Sequence, residues 1–242
     1  MKRDFDLTGR HALVTGGRGL AAGMARGLAD AGAEVVILSR TKPENCAYPF
    51  VQADLADRDA LRAGFDGALA LMGGRIDILV NCAGIQRRHE CEDFPMEDWD
   101  EVLEVNLTAV FELSQLAGRV MLKQGKGKII NVASMISFFG GMRIPAYAAS
   151  KGGVAQLTKA LAVAWAGKGI QVNALAPGYM VTDMNDALLR DEARRTSILS
   201  RIPAGRWGTP EDMAGPCVFL ASDASDYVNG AVIQVDGAYL VC

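Results

Sequence analysis

The 242-residue sequence is poor in the features that mark disulfide-bonded, metal-binding, membrane or polyanion-binding proteins. Its 5 cysteines, Cys46, Cys82, Cys91, Cys217 and Cys242, are odd in number, scattered, and never spaced C-x-x-C. That pattern argues against a disulfide framework and against a zinc site, so no metal is expected. The formal charge is -3 and no Lys/Arg run exceeds two residues, which leaves no basic stripe for nucleic acid. No stretch approaches the ~18 uninterrupted apolar residues of a membrane span. The charged start, Met1 to Gly9, also lacks the apolar centre of a secretory signal. Together these absences point to a cytoplasmic protein acting on a small molecule. No internal repeat, low-complexity tract or Pro/Ser-rich linker offers a boundary, so residues 1–242 read as one domain.

What is present is core material in a repeating order. Half of the residues (50%) are hydrophobic, enough for a substantial interior. Short β-type runs alternate with longer helical patterns, the signature of a parallel sheet covered on both faces. Seven strands are predicted near 11–15, 34–38, 49–52, 77–80, 127–133, 170–175 and 231–235. Helices are predicted near 19–31, 57–72, 96–123, 145–167 and 210–221, the last with Thr209 as its cap and Pro210 in its first turn. The fold class is therefore α/β, a single doubly wound Rossmann domain with a seven-stranded parallel sheet flanked by helices. One crossover is too short for a helix: Arg40 to Phe50, with Pro43 and Pro49, is predicted to be a loop or a single turn.

The first strand runs into Thr15-Gly16-Gly17-Arg18-Gly19-Leu20-Ala21-Ala22-Gly23 and then a helix. Glycines there let a backbone approach a pyrophosphate, and free N–H groups at the helix start stabilise its charge. The literal G-x-G-x-x-G pattern is missing, so the segment reads either as a phosphate-binding turn of Gly16, Arg18, Gly19 and Leu20 or as a tight strand-to-helix connection. At the end of the second strand a dinucleotide fold sets an acid against a ribose 2′-hydroxyl, or a base against a 2′-phosphate. This chain has Ser39-Arg40 and no acid, with Arg18 in reach of the same phosphate. NADP(H) is favoured, with NAD(H) and a plain pair of surface arginines as the alternatives. Asp54 and Leu55 follow the third strand, and Asn81-Cys82-Ala83-Gly84 the fourth, at the sheet edge where open α/β sheets bind ligands or simply turn.

Tyr147 and Lys151 are four residues apart at the start of a helix entered through Pro145, so both side chains lie on one face. An adjacent ammonium favours a phenolate, moving the phenol down from its ordinary value of ~10 toward a range useful for exchanging a proton with a hydroxyl or ketone. Ser134, thirteen residues earlier and at a strand end, is placed to bond the reacting oxygen. Asn106 lies inside the predicted 96–123 helix, where a mediocre helix former suggests a bend.

Asn81-Cys82-Ala83-Gly84, Asn106, Ser134, Tyr147-Ala148-Ala149-Ser150-Lys151, Pro177-Gly178 and Val235-Asp236-Gly237 resemble the short-chain dehydrogenase/reductase family over nearly the whole chain. The resemblance implies Ser134, Tyr147 and Lys151 as catalytic residues, and Asn106 holding a proton-relay water. It also implies Lys151 on the nicotinamide ribose, Pro177, Gly178 and Thr182 around the nicotinamide, Asp54 on the adenine, and a homotetramer whose contacts include the apolar ending Tyr239 to Cys242. Within the family, segments such as Ala83 to Arg88, Gly141 to Pro145 and Arg201 to Gly208 are most similar to the sugar-acid branch, the 2-dehydro-3-deoxy-D-gluconate and gluconate 5-dehydrogenases. Two departures stand out. The glycine turn is one residue short of the family's Thr-Gly-x-x-x-Gly-x-Gly, with Ala21 in the last glycine's place, and that branch tends toward NAD with a fuller crossover after the second strand.

A sugar acid carries a carboxylate, which arginines bind through paired charge-assisted bonds. Arg143, Arg87 and Arg88 are the arginines placed for that role, each with a solvent-facing loop position as its alternative. Two rival functions stay open at this point. One is a short-chain reductase of another ketone, such as a 3-oxoacyl carrier protein; the other is a catalytically silent nucleotide-binding regulator.

Overall fold

Strands whose side chains are apolar at consecutive positions must be buried on both faces, and the computed structural model builds the sheet accordingly. It describes residues 5–44 and 46–242; Met1 to Asp4 of the charged start and Asn45 of the short crossover lie outside the described residues. In chain order the elements begin β1 (His11–Thr15), α1 (Leu20–Asp30), β2 (Glu34–Ser39), β3 (Phe50–Gln52), α2 (Arg58–Leu71), β4 (Ile78–Asn81) and α3 (Met96–Leu103). A π-helical turn (Glu104–Thr108) leads into α4 (Ala109–Gln124), β5 (Gly127–Val132), α5 (Pro145–Trp165) and β6 (Ile170–Pro177). Two short helices, α6 (Asp186–Arg190) and α7 (Glu192–Leu199), precede α8 (Ala214–Ala221) and β7 (Val232–Val235).

All strand pairs are parallel, in the order β3-β2-β1-β4-β5-β6-β7. Chain order reverses between β1 and β4, so their C-terminal ends open a crevice, the place where doubly wound sheets bind ligands. On one face Met24 and Leu28 of α1 and Cys217 and Leu220 of α8 pack on Val14, Val80 and Ile130. On the other, Leu61 and Phe65 of α2 and Leu113 and Met121 of α4 pack on Leu13, Leu38, Leu79 and Ile129. No helix among the described residues is long and apolar enough to cross a membrane.

Element boundaries differ from expectation where local chemistry intervenes. Periodicity predicts one helix over 96–123, but the structure interrupts it with the π turn around Asn106. The 210–221 segment opens as a 3-10 turn, Pro210–Met213, because Thr209 and Asp212 close a capping box there. Arg206 and the Thr209 N–H hold the Asp212 carboxyl down to about 2. The 40–50 crossover has no helix among its described residues, and Pro43 folds over Gly17 so closely that a Cβ on that glycine would run into the pyrrolidine ring. Tyr239, expected at a subunit contact, is buried in its own chain, with its ring centroid 5.4 Å from that of Tyr179 and 6.1 Å from that of Phe139.

The glycine needed for close helix packing is Gly23, two positions beyond Ala21: a Cβ there would strike the Pro210 carbonyl. One turn on, a Cβ at Gly27 would stand 2.7 Å from that of Ala214. Overpacking of this kind costs about 1–3 kcal/mol. Gly23→Ala is therefore expected to lower the thermal midpoint by roughly 2–12 °C for a chain of this size. A circular-dichroism melt matching the wild type would show that the α1 contact has slack.

Candidate active site

The crevice is a cleft of about 330 Å³ whose floor is the β1 and β4 ends. Gly16 and Gly19 both take positive φ, 85° and 53°, where a side chain would be strained. Gly19 stands at the N-cap of α1 without a side-chain cap bond, and the first turn of that helix holds no acid. Unspent amides at a helix start are an anion site, and with Arg18, Leu20 and the glycines they form one wall of the cleft. Thr15, which opens the glycine-turn segment but was given no role of its own from sequence, ties β1 to the β4 end: its Oγ1 accepts from the N–H of Cys82 at 3.0 Å and of Ala83 at 3.1 Å. The signal was a hydroxyl at the last position of an otherwise apolar strand.

At the far end of the cleft stand Ser39, Arg40, Asp54 and Leu55. The Ser39 hydroxyl donates to Thr41 O at 2.8 Å, and Asp54 turns its own loop by accepting from Ala56 N at 3.0 Å. Arg18 and Arg40 are 77% and 68% exposed and reach acids only at long range, Asp183 at 3.8 Å and Asp54 at 4.0 Å. Such exposed, long pairs contribute little, so both guanidiniums are available to an anion.

Ala83, Gly84, Tyr147, Lys151, Pro177 and Thr182 line the inner end. Asn81 and Gly178, expected here on the cofactor, do not line it. Asn81 is buried between β4 and its neighbours, donating to Ser114 Oγ at 3.1 Å and Asn131 Oδ1 at 2.9 Å. Gly178 permits a close backbone approach instead, since a Cβ there would stand 2.7 Å from Asp236 Cα.

Pro145 opens α5, setting Tyr147 and Lys151 one turn apart on the cleft side, opposite Ser134 at the end of β5. Ser134 stands near enough to the Tyr147 phenol to favour its ionised form, its Oγ accepts from Ile136 N at 3.2 Å, and Lys151 Nζ donates to Val132 O at 2.7 Å. One expectation is overturned. Tyr147 is pushed above its ordinary value, not below it: burial raises it, against the lowering from Ser134. The Lys151 ammonium lies 5.7 Å from the ring centroid and spends its short bond on a carbonyl. Burial brings Lys151 itself down to about 8, and pushes the neighbouring Cys82 thiol up to about 12.

A web of short bonds holds the set in place. Ser137 Oγ donates to Lys151 O at 2.7 Å and accepts from Ser134 N at 3.3 Å, tying α5 to the β5 end. Asn106, in the π turn, uses its whole amide: Nδ2 donates to Ile85 O at 2.8 Å and Ser150 Oγ at 3.3 Å, and Oδ1 accepts from Ile85 N at 2.8 Å. Ser150 in turn donates to Tyr147 O at 2.8 Å. A π turn leaves a main-chain carbonyl without its helical partner, so the backbone, not the side chain, offers a spare acceptor there.

A second, open cleft of about 620 Å³ adjoins the first, sharing Ile85 and Met184, and is lined also by Arg87 and Arg88. Arg87 is already paired, 2.6 Å from Glu101 and 3.5 Å from Asp98. Arg143, at φ 66°, lies 3.1 Å from Glu90. Arg88 has no such acid; its guanidinium is lowered by burial, then by the nearby Arg194. Helix α7 was not foreseen, because it is too short and polar to show a buried face.

A doubly wound sheet with an uncapped glycine turn at its switch point, and a Ser–Tyr–Lys set at the inner end of the cleft, defines a dinucleotide-dependent oxidoreductase. The chain belongs to the short-chain dehydrogenase/reductase family: a family model described as Enoyl-(Acyl carrier protein) reductase matches residues 14–239. It is similar to the 2-dehydro-3-deoxy-D-gluconate 5-dehydrogenase of Bacillus subtilis (strain 168), 50% identical over 248 residues that cover 98% of this chain and 96% of that one. Gluconate 5-dehydrogenase of Gluconobacter oxydans (strain 621H) is 42% identical over 251 residues, 98% of this chain and 97% of its own. Among solved structures, the gluconate 5-dehydrogenase from Burkholderia cenocepacia J2315 in complex with NADP and tartrate superposes with a TM-score of 0.93 at 43% identity, covering 100% of this chain and 99% of that chain. This chain is accordingly an NAD(P)-dependent oxidoreductase.

Proposed function

We propose that this protein interconverts a hydroxyl and a ketone on a sugar acid of the 2-dehydro-3-deoxy-D-gluconate or gluconate type, using NADP(H) in preference to NAD(H). The observation that carries the reading is the pair Tyr147 and Lys151, one turn apart on α5 and both lining the glycine-turn cleft, with Ser134 beside the phenol. The residues present fit that cofactor. Gly16, Gly19 and Leu20 would hold the pyrophosphate, Arg18, Ser39 and Arg40 a 2′-phosphate, Asp54 and Leu55 the adenine, and Ala83, Gly84, Lys151, Pro177 and Thr182 the nicotinamide riboside. Bound there, the nicotinamide supplies the carbon that accepts or donates hydride. Tyr147 exchanges the proton of the substrate hydroxyl, Ser134 orients that oxygen, and Lys151 supports the phenolate when it forms. Asn106 serves the proton relay through the main chain of its π turn, since its amide is committed to Ile85 and Ser150.

The relatives named above support the sugar-acid reading: the B. subtilis and G. oxydans enzymes carry sugar-acid names, and the Burkholderia enzyme was solved with NADP and a carboxylate. The acyl-carrier alternative is favoured by the description of the family model alone. The shortened glycine turn is the one feature that favours a silent regulator, and the presence of Ser134, Tyr147 and Lys151 together at the cleft speaks against it. We assign the protein to the cytoplasm as a homotetramer; exposed Phe111 on α4 and Val163 on α5 are apolar surface suited to subunit contacts.

Steady-state assays with gluconate, 2-dehydro-3-deoxy-D-gluconate, their keto forms and a 3-oxoacyl thioester, each with NADP(H) and NAD(H), test the reading. Turnover is expected on a sugar acid and faster with NADP(H). Turnover confined to the thioester would replace this function with the acyl one.

A further inference from the structure

An imidazole stands in the wall of the open cleft. His89 and Asp98 both line it, and the cleft shares Ile85 and Met184 with the pocket that holds Tyr147 and Lys151. A substrate that extends from Tyr147 past Ile85 enters the space bordered by His89. The ring there is fixed by contacts from separate segments. His89 Nε2 lies 2.5 Å from Asp98 Oδ2. A carboxylate only accepts, so Nε2 carries the proton and donates it. Arg87 steadies Asp98 in turn, with Nε 3.5 Å from Asp98 Oδ1 and Nη2 2.6 Å from Glu101, one turn further along α3. The His89 ring meets that of Phe94 edge to face, centroids 5.2 Å apart and planes at 86°. Its main-chain N–H donates to Arg143 O at 3.2 Å. Arg143 takes φ 66°, a left-handed conformation uncommon for a long side chain, and strained backbone of this kind clusters where a site must be positioned.

With Nε2 engaged, Nδ1 is the ring atom left for a ligand. It makes no hydrogen bond among the described residues, and the side chain keeps 37% of its surface exposed. Nδ1 accepts when the ring is neutral and donates when it is charged. A sugar hydroxyl, donor and acceptor at once, matches it in either state. A carboxylate is a poorer match, because Asp98 already sets a negative charge against the same ring.

We propose that His89 is a substrate-binding residue whose Nδ1 bonds a hydroxyl of the sugar chain beyond the reacting carbon, with Asp98 orienting the ring. The inference rests on the sugar-acid reading for the identity of that hydroxyl. It gives a specificity-determining role to a residue that no motif marks. It also turns Arg87, through Asp98, and Arg143, through its carbonyl, into positioning residues for the ring.

Three substitutions separate this contact from a merely structural one. His89→Phe keeps a ring against Phe94 and removes both nitrogens. His89→Asn keeps a polar atom near the place of Nδ1 and loses Asp98, whereas His89→Gln reaches Asp98 and has no polar atom at Nδ1. Kinetics are measured at saturating NADP+ with whichever of D-gluconate and 2-dehydro-3-deoxy-D-gluconate turns over faster. His89→Phe is expected to raise KM about 10-fold with kcat within about 3-fold, the loss of one substrate hydrogen bond. His89→Asn should recover most of that loss, and His89→Gln should resemble His89→Phe. An unchanged KM in His89→Phe, or recovery by His89→Gln and not by His89→Asn, would overturn the contact.

A second measurement leaves the fold untouched. The chain holds 2 histidines, His11 and His89, and His11 opens β1 at the end of the sheet away from the cleft. In wild-type protein with 15N-labelled histidine rings and NADP+, the same sugar acid should move the Nδ1 resonance of His89 and leave His11 in place. Movement caused by the neutral polyol D-sorbitol, in a protein that turns over no sugar acid, would sink the proposed function and leave the hydroxyl contact standing. A His89 resonance unmoved by either sugar acid and by D-sorbitol would overturn the contact itself.

Discussion

Tyr147→Phe is expected to lower kcat by about 100- to 10,000-fold, the usual contribution of a positioned acid or base. The substitution removes one oxygen and keeps the ring, so the α5 helix and its packing should survive. Binding of NADPH, followed by fluorescence, should change by no more than about 3-fold, because Lys151 and the glycine turn are untouched. The pH profile adds a second readout. Burial holds the Tyr147 phenol above its ordinary value, so the protonated form, the one that gives a proton in ketone reduction, dominates at neutral pH. Alcohol oxidation needs the phenolate, and its rate should climb as pH rises toward the alkaline range, whereas the variant's residual rate should lack that climb. Near-normal turnover in the variant, or an unchanged profile, would remove Tyr147 as the proton-exchanging group.

The sheet was legible because its strands are apolar on both faces, and the order of strands and helices is printed in their alternation. Ser134, Tyr147 and Lys151 were legible as well, since each follows or opens an element whose end must face the crevice. What escaped was set by contacts between distant segments. Gly23 looks like any helix glycine until Pro210 is packed on it, some 187 residues along the chain. The π turn at Asn106 depends on a partner in Ile85, and the depletion of free charge at Arg87 and Arg143 depends on acids supplied by α3 and by Glu90. The sign of the Tyr147 shift was also hidden. Spacing along a helix gives proximity to Lys151, but only the fold shows that Lys151 is buried and that its ammonium bonds the Val132 carbonyl.

Cofactor choice should be the property most easily inverted. Arg18 and Arg40 both line the cleft, largely solvated, with acids no nearer than 3.8 and 4.0 Å. A charge-assisted bond to phosphate contributes roughly 1.5–3 kcal/mol, about 10- to 100-fold in affinity. Losing both at once, in Arg18→Ala with Arg40→Asp, should cut kcat/KM for NADP(H) by about 100- to 1,000-fold, since neighbouring charges do not add in full. The new aspartate at the end of β2 would instead face a ribose hydroxyl, so activity with NAD(H) should hold or rise. Raising the ionic strength should weaken NADP(H) binding in the wild type and have little effect in the double variant, because exposed guanidinium–phosphate attraction is screened by salt. If the double variant kept its wild-type preference, discrimination would have to come from the rest of the cleft, and the two arginines would be ordinary surface charges.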